Sequence, residues 1–383
     1  MIIDGHMYCF PKLDSLAGYE TIEEKFNYIQ QELGGHHQPV WKVSDKSKSD
    51  NSTLIDPKTH KFQKVKWQTN IGRLAWEYKD ELYTKQYLPP MLSNLESTPE
   101  YMISEMDYAG VDMGVIHTSP HFGLLNKYLR NIVEKYPDRF IRLTSLEEKK
   151  IPSQIEKSIN EIETEKQYTK TMGYHFHSKN YYESGLSENW VEGRMKDFWS
   201  EIASLKIPVF FSLGLRSKAN FENIQFQDYI QEQKVLLKWM ELYPDTDVIV
   251  THGLPWRKFF LENHKKFPEE IWNVFKQPKC NLQLMLPIQI GNIFEYPWIE
   301  TEEIISICAE KIGSNRLIWG TDMPLVGRFC TYKQALNQFK IYCNFLSDFD
   351  KLNILGQNML SFKCIFYLYS ISCQQCLTKH QRE

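Results

Sequence analysis

No apolar run in this chain is long enough to span a bilayer, and no Gly-rich dinucleotide fingerprint follows any strand-like segment. Neither sign of charge is in large excess. A formal net charge of −3 over 383 residues leaves no electrostatic footprint for nucleic acid or an anionic membrane. The eight cysteines are scattered and do not have the spacing of a small disulfide framework. Met1 leads straight into an apolar run with no leader pattern, so a reducing, cytoplasmic setting is expected. What the chain does have is material for a core. A hydrophobic share of 42% with 14% aromatics excludes global disorder.

The most informative stretch is Leu317–Pro324, Leu-Ile-Trp-Gly-Thr-Asp-Met-Pro. An apolar run enters, Gly320 and Thr321 let the backbone turn, and Asp322 stands alone before Pro324 ends any pairing. Read as a strand through Asp322, it puts Ile318, Gly320 and Asp322 on one face by period-2 alternation. Val248–Gly253 repeats the pattern and delivers His252; Ile2–His6 does so again and delivers His6. A helix-capping role would explain Asp322 alone. Three strand ends carrying His, His and Asp are explained better by a closed barrel, which gathers them round one mouth.

Eight runs read as strands: Met1–His6, Asp112–Thr118, Phe140–Leu146, Thr171–His177, Ile207–Leu213, Asp247–Thr251, Cys280–Leu286 and Leu317–Asp322. Helical patterns fill most intervals. Thr98-Pro99-Glu100 supplies an N-cap, a first-turn proline and a first-turn acid for a helix burying Met102, Ile103, Met106 and Ala109. Ile151–Lys166, Trp190–Leu205, Gln227–Leu242, Glu302–Ile312 and Tyr332–Leu346 read similarly, and Asn353–Ser361 reads as a closing helix. The alternation predicts a (β/α)8 TIM barrel over residues 1–362 with a long insertion after strand 1. That insertion, 35–95, is polar over Lys42–Thr59 and aromatic over Trp67–Met91, and is expected to lie as a lid over the barrel mouth. Residues 363–383 form a C-terminal tail. In it, Cys373-x2-Cys376-x3-His380 has metal-knuckle spacing but no fourth ligand nearby, so it reads as a chance cluster.

Taken together, Ile3-Asp4-Gly5-His6, Pro208–Gly214, Thr251-His252-Gly253 and Gly320–Pro324 resemble the amidohydrolase-related family. The branch they look most like contains aminocarboxymuconate-semialdehyde decarboxylase and related aromatic-acid decarboxylases. Asp107–Asp112 and Ile354–Asn358 resemble that family's first helix-to-strand junction and final helix. The resemblance implies a metal site built from a His-x-His on strand one, a histidine ending strand five and an aspartate ending strand eight. His6 and Asp322 match it, while Tyr8 and Ser212 stand where two of the usual histidines would be. His252 matches the strand-six histidine, an acid/base or further ligand. The implied divalent metal, zinc or manganese, would thus be held by His6 and Asp322, with His252, His175 and His177 as further donors. Its hold is weakened where a phenol and a hydroxyl replace imidazoles.

The remaining site candidates follow strand ends. Arg216, Arg257 and Arg328 could each clamp a carboxylate, although a surface ion pair explains each of them better taken singly. Trp256 could supply a flat wall, as could Trp319, which core packing explains better. His117 and His121 lie beside strand two. The substrate-binding set is therefore Tyr8, Ser212, Arg216, Trp256, His117 and Arg328. The leading expectation is hydrolysis of a C–O or C–N bond in a small carboxylated or cyclic compound (a lactone, ester or amide), with Asp322 as general base and His252 as acid/base. The alternatives are non-oxidative, metal-dependent decarboxylation of an aromatic or conjugated acid, and a catalytically silent ligand-binding barrel. The partner expected is a small molecule, with neither nucleic acid nor membrane; a homo-oligomer is compatible with the sequence.

Overall fold

The computed structural model describes residues 1–36, 38–56, 58–59, 61–68, 73–168, 171–214, 226–262 and 266–362. Eight strands pair in parallel, each with the next in chain order: Ile3–Tyr8, Met113–His117, Phe140–Thr144, Thr171–His177, Val209–Ser212, Val248–Val250, Cys280–Leu284 and Leu317–Trp319. The ring closes just beyond the last strand. Tyr8 N donates to Met323 O at 2.7 Å, and Asp322 N donates to His6 O at 2.9 Å. The barrel expected from the alternation of apolar runs is therefore present.

Alternation along each strand explains what lies inside. Ile3, Met113, Val115, Ile141, Leu143, Phe210, Ile249 and Ile318 form an inner apolar cluster, joined by Met359 and Phe362 of the closing segment. Burying each such side chain contributes roughly 1.5–3 kcal/mol. Two residues further along the same faces come His117, Ser212 and Thr251, so polar groups sit on an apolar floor. The strand ends Met113–His117 and Thr171–His177 bring His117 and His175 there, both buried. Gly5 is required for this packing. A Cβ on it would stand 2.7 Å from the Ile318 side chain and 2.9 Å from the Trp319 carbonyl oxygen.

Local signals set several element boundaries. The helix Pro99–Ala109 is capped by Thr98, which accepts from Tyr101 N at 3.2 Å. It ends at Gly110 with φ 83°, a left-handed conformation that costs glycine nothing. It buries Met102, Met106 and Ala109, while Ile103 is half-buried. Elsewhere the structure shortens what the sequence suggested. Strand eight stops at Trp319, so Asp322 reaches the mouth through a backbone turn at φ 66° and not by strand alternation. The helix read over Tyr332–Leu346 is α-helical only to Asn337, then widens over Gln338–Tyr342. Apolar periodicity continues through such a change of winding and does not reveal it.

The long connection after strand one carries the helix Ile22–Gly35 and a five-stranded antiparallel sheet from Val40–Lys42, Lys48–Ser49, Val65–Gln68, Arg73–Tyr78 and Glu81–Lys85. Trp76 is fully buried in it. The tail 363–383, with Cys364–Ser372 and Cys373, Cys376 and His380, lies outside the described residues. Among the described residues, no helix is long and apolar enough to cross a membrane.

Candidate active site

His6, His252 and Asp322 meet at the C-terminal mouth of the barrel, their ligand atoms all within 4.8 Å of one another. His6 Nε2 lies 3.6 Å and His252 Nε2 3.8 Å from Asp322 Oδ1. Two backbone turns bring this about. His252 has φ 59° and Asp322 φ 66°, conformations that non-glycine residues adopt at a cost of order 1–3 kcal/mol. His252 is held there by its carbonyl, which accepts from Gln289 Nε2 at 2.7 Å and Trp256 Nε1 at 3.2 Å.

The proton on His6 can be placed from its partners. Gln283 Nε2 donates to Gly5 O at 2.8 Å, which leaves Gln283 Oε1 to accept from His6 Nδ1 at 3.0 Å. His6 therefore carries its proton on Nδ1 and turns the bare Nε2 toward the mouth. Tyr8 Oη donates to that nitrogen at 2.8 Å. Burial pushes the Tyr8 phenol well above its usual range, with the Asp322 carboxylate next in effect, so it stays protonated. His6 stacks on His117 with ring centroids 3.5 Å apart. His117 Nε2 donates to Gly5 O at 2.9 Å, and its Nδ1 is buried without a partner. Burial, reinforced by the neighbouring imidazoles, holds His6, His117 and His175 well below the ordinary histidine value, so all three are neutral.

Asp322 Oδ1 is likewise buried without a hydrogen-bond partner. A carboxylate oxygen and two imidazole nitrogens thus converge, all electron-pair donors at separations too long for direct hydrogen bonds. Two imidazoles and one carboxylate are a donor set that suits a divalent cation. The residues present fit such a group.

Behind the mouth, Asp4 fastens strand one to the turn that carries Asp322. Its carboxyl accepts from His6 N at 3.0 Å, Thr321 N at 3.1 Å, Tyr332 Oη at 2.8 Å and the Thr321 hydroxyl. Full burial nonetheless pushes its pKa up to about 7, against the lowering effect of those bonds.

The structure brings Tyr8, Ser212, His117 and His175 to the same floor as His6, His252 and Asp322. His177 turns aside: its Nδ1 bonds Glu148 Oε1 at 3.0 Å, although its ring centroid is 4.0 Å from that of His175. Trp256 is fully buried beneath His252, and Arg257 is engaged with Gln289 O at 3.3 Å and Asn292 Oδ1 at 2.6 Å. Arg328 sits half-buried at the rim. Its Nη1 donates to Tyr87 O at 2.5 Å, while its Nε is buried without a partner. Tyr87 Oη meets His121 Nε2 at 2.6 Å. Arg216 lies outside the described residues.

Sequence reasoning missed Gln283, Thr251 and the bracing role of Asp4. Gln283 had a signal, being one of two amides, with Asn281, in the buried strand Cys280–Leu284. Thr251 had none, because threonine is an ordinary strand residue.

No protein of curated function matches the sequence. Among solved structures, 5-carboxyvanillate decarboxylase LigW2 from Novosphingobium aromaticivorans, with bound manganese, is similar at TM-score 0.57 and 14% identity, covering 94% of this chain and 96% of that one. LigW from Sphingomonas paucimobilis, a 5-carboxyvanillate decarboxylase, gives 0.51 and 15%, covering 72% and 85%. A 2,6-dihydroxybenzoate decarboxylase from Rhizobium gives 0.50 and 12%, covering 74% and 91%. At these identities the likeness establishes the fold. The family model for the amidohydrolases matches residues 3–358, almost the whole length. The resemblance read from the strand-end motifs is therefore borne out, and the chain belongs to the amidohydrolase family.

Proposed function

We propose that this chain is a non-oxidative decarboxylase of a hydroxylated aromatic or conjugated carboxylic acid. The observation that carries the reading is the convergence of His6 Nε2, His252 Nε2 and the unpartnered Asp322 Oδ1 beside a phenol that keeps its proton. Tyr8 lies against Phe122 with ring centroids 4.8 Å apart, and Phe10 stacks on Phe122 at 4.4 Å, buried packing that holds the phenol beside His6. The fold neighbours reported above are all decarboxylases of aromatic acids, and one was crystallised with manganese. Hydrolysis, ranked first from the sequence, therefore takes second place.

His6 Nε2 and Asp322 Oδ1 would hold a divalent cation, with His252 Nε2 as third donor in the resting site; what it supplies is positive charge that orients an anionic substrate. The chain's own groups do the rest. The Tyr8 ring flanks the substrate ring, and the 35–95 insertion contributes Tyr87, whose hydroxyl meets His121 beside Phe122. With an acid in the mouth, His252 Nε2 is the proton carrier, its side chain being 36% exposed against 0% for His6 and 7% for Asp322. It takes the proton of the substrate hydroxyl and delivers one to the ring carbon that bears the carboxylate. The C–C bond then breaks, its electron pair restores the ring, carbon dioxide leaves, and solvent supplies the one proton consumed.

The test is carbon dioxide release from a panel of hydroxybenzoates with added manganese or zinc, run beside a panel of lactones and esters. Decarboxylation predicts release from at least one acid and a loss of about 10²-fold or more in Asp322→Asn and His252→Ala. Turnover of lactones alone would establish hydrolysis instead. Binding of acids with no turnover on either panel would establish a silent barrel.

A further inference from the structure

The hydroxyl that replaces the usual strand-five histidine belongs to a chain of hydrogen bonds that ends on His252. Thr251 Oγ1 donates to Phe211 O at 3.2 Å. Ser212 Oγ lies 2.6 Å from Thr251 Oγ1 and 2.9 Å from His175 Nε2. His252 Nδ1 lies 3.2 Å from Thr251 Oγ1 and 3.5 Å from Ser212 Oγ. Each hydroxyl has one hydrogen to give. With the Thr251 hydrogen on the Phe211 carbonyl, only one assignment serves every contact: Ser212 donates to Thr251, His175 Nε2 donates to Ser212, and His252 Nδ1 donates to Thr251.

We infer that Thr251 and Ser212 are positioning residues that fix His252 as its Nδ1–H tautomer, so that its Nε2 lone pair faces Asp322 Oδ1. The fit of His175 supports this. It is fully buried and neutral, so it has one proton to give, and its Nδ1 has no partner, as the assignment requires. His252 stands in a left-handed turn at φ 59°, with its Nδ1 3.2 Å from Thr251 Oγ1. A histidine at position 212 would bring its own ring proton and compete for the same acceptor, so the hydroxyl there belongs to a different way of orienting His252. The tautomer is read from the hydrogen bonds alone; only the use made of Nε2 rests on the decarboxylase reading.

Long-range ¹H–¹⁵N correlation on the full chain labelled at histidine nitrogens, without added metal, reads the tautomer directly, with His252→Asn to assign the signal. Wild type is expected to show His252 protonated on Nδ1 and bare on Nε2 at pH 8. Thr251→Val removes the acceptor and should yield a mixture of tautomers and weaken manganese binding about tenfold or more. Ser212→Ala should do less, and Thr251→Ser should restore both readouts. A wild-type His252 protonated on Nε2 overturns the inference without any variant. An unchanged tautomer in folded Thr251→Val does so as well. Neither outcome depends on whether the substrate panels show decarboxylation, so the two readings fail separately.

Discussion

Replacing Tyr8 by phenylalanine tests whether the phenol competes with a cation for His6 or helps to hold it. Tyr8 Oη donates to His6 Nε2 at 2.8 Å, and that nitrogen's lone pair is the one a cation would use. Binding therefore has to break this hydrogen bond or turn its hydrogen elsewhere. A typical bond of this kind is worth about 0.5–1.5 kcal/mol net, and 1.4 kcal/mol is a factor of ten in affinity. The opposing possibility is that the phenol oxygen itself ligates as phenolate. Burial and the neighbouring Asp322 carboxylate push its ionisation well above the usual range, which works against that. The expected result is that Tyr8→Phe binds manganese or zinc about two- to tenfold more tightly than wild type, measured by isothermal titration calorimetry on chelator-stripped protein. The ring itself stays, so the packing against Phe122 is retained. A variant that binds the metal more weakly than wild type would refute the reasoning, because it would make Tyr8 a ligand.

Two further outcomes follow from buried charge. Asp4 has its pKa raised from 3.8 to about 7, so its stabilising contribution is complete below about pH 4 and is lost as pH rises through about 7. At 1.36 kcal/mol per unit, wild type should lose about 4 kcal/mol across that window relative to Asp4→Asn, measured by urea unfolding; parallel curves would remove the argument. Arg328 has a buried Nε without a partner and, among the described residues, donates only to Tyr87 O, so Arg328→Met should raise KM for an anionic substrate about tenfold or more with kcat changed little. A fall in kcat at constant KM would place the guanidinium in the transition state instead.

The barrel was legible because each strand is a short apolar run with a polar residue at its exit, and burial on both faces leaves little else such a run can be. His6, His252 and Asp322 were legible for the same reason, as polar residues at strand exits. What alternation could not give was their orientation. Asp322 lies beyond the end of its strand, and both it and His252 reach the mouth through left-handed turns that no period-2 count contains. Tyr8 and Ser212 showed as departures from a pattern, but their partners did not. Gln283 reaches His6 from strand seven across the barrel mouth, and Thr251 reaches Ser212 at the end of strand five, bonds that depend on register between segments far apart in sequence. The antiparallel sheet of the insertion was read only as an aromatic segment, because its strands are short and its pairing non-local.

Charge at the mouth links the metal fit to the choice of chemistry. His6, His117 and His175 are neutral, so the histidine floor offers electron pairs and no positive charge. Asp322 adds a carboxylate. Among the described residues, an anionic acid entering this mouth meets a carboxylate, neutral imidazoles and the one phenol donor of Tyr8, unless a cation sits among His6, His252 and Asp322 or the acid reaches Arg328 at the rim. The two sources of positive charge suit different parts of a substrate. A carboxylate that leaves as neutral carbon dioxide loses its charge in the transition state, so a guanidinium clamped on it would stabilise the ground state more and slow the reaction. Arg328 therefore serves the proposed chemistry best by holding an anionic group that stays on the product, while the departing carboxylate faces the proton carrier on His252.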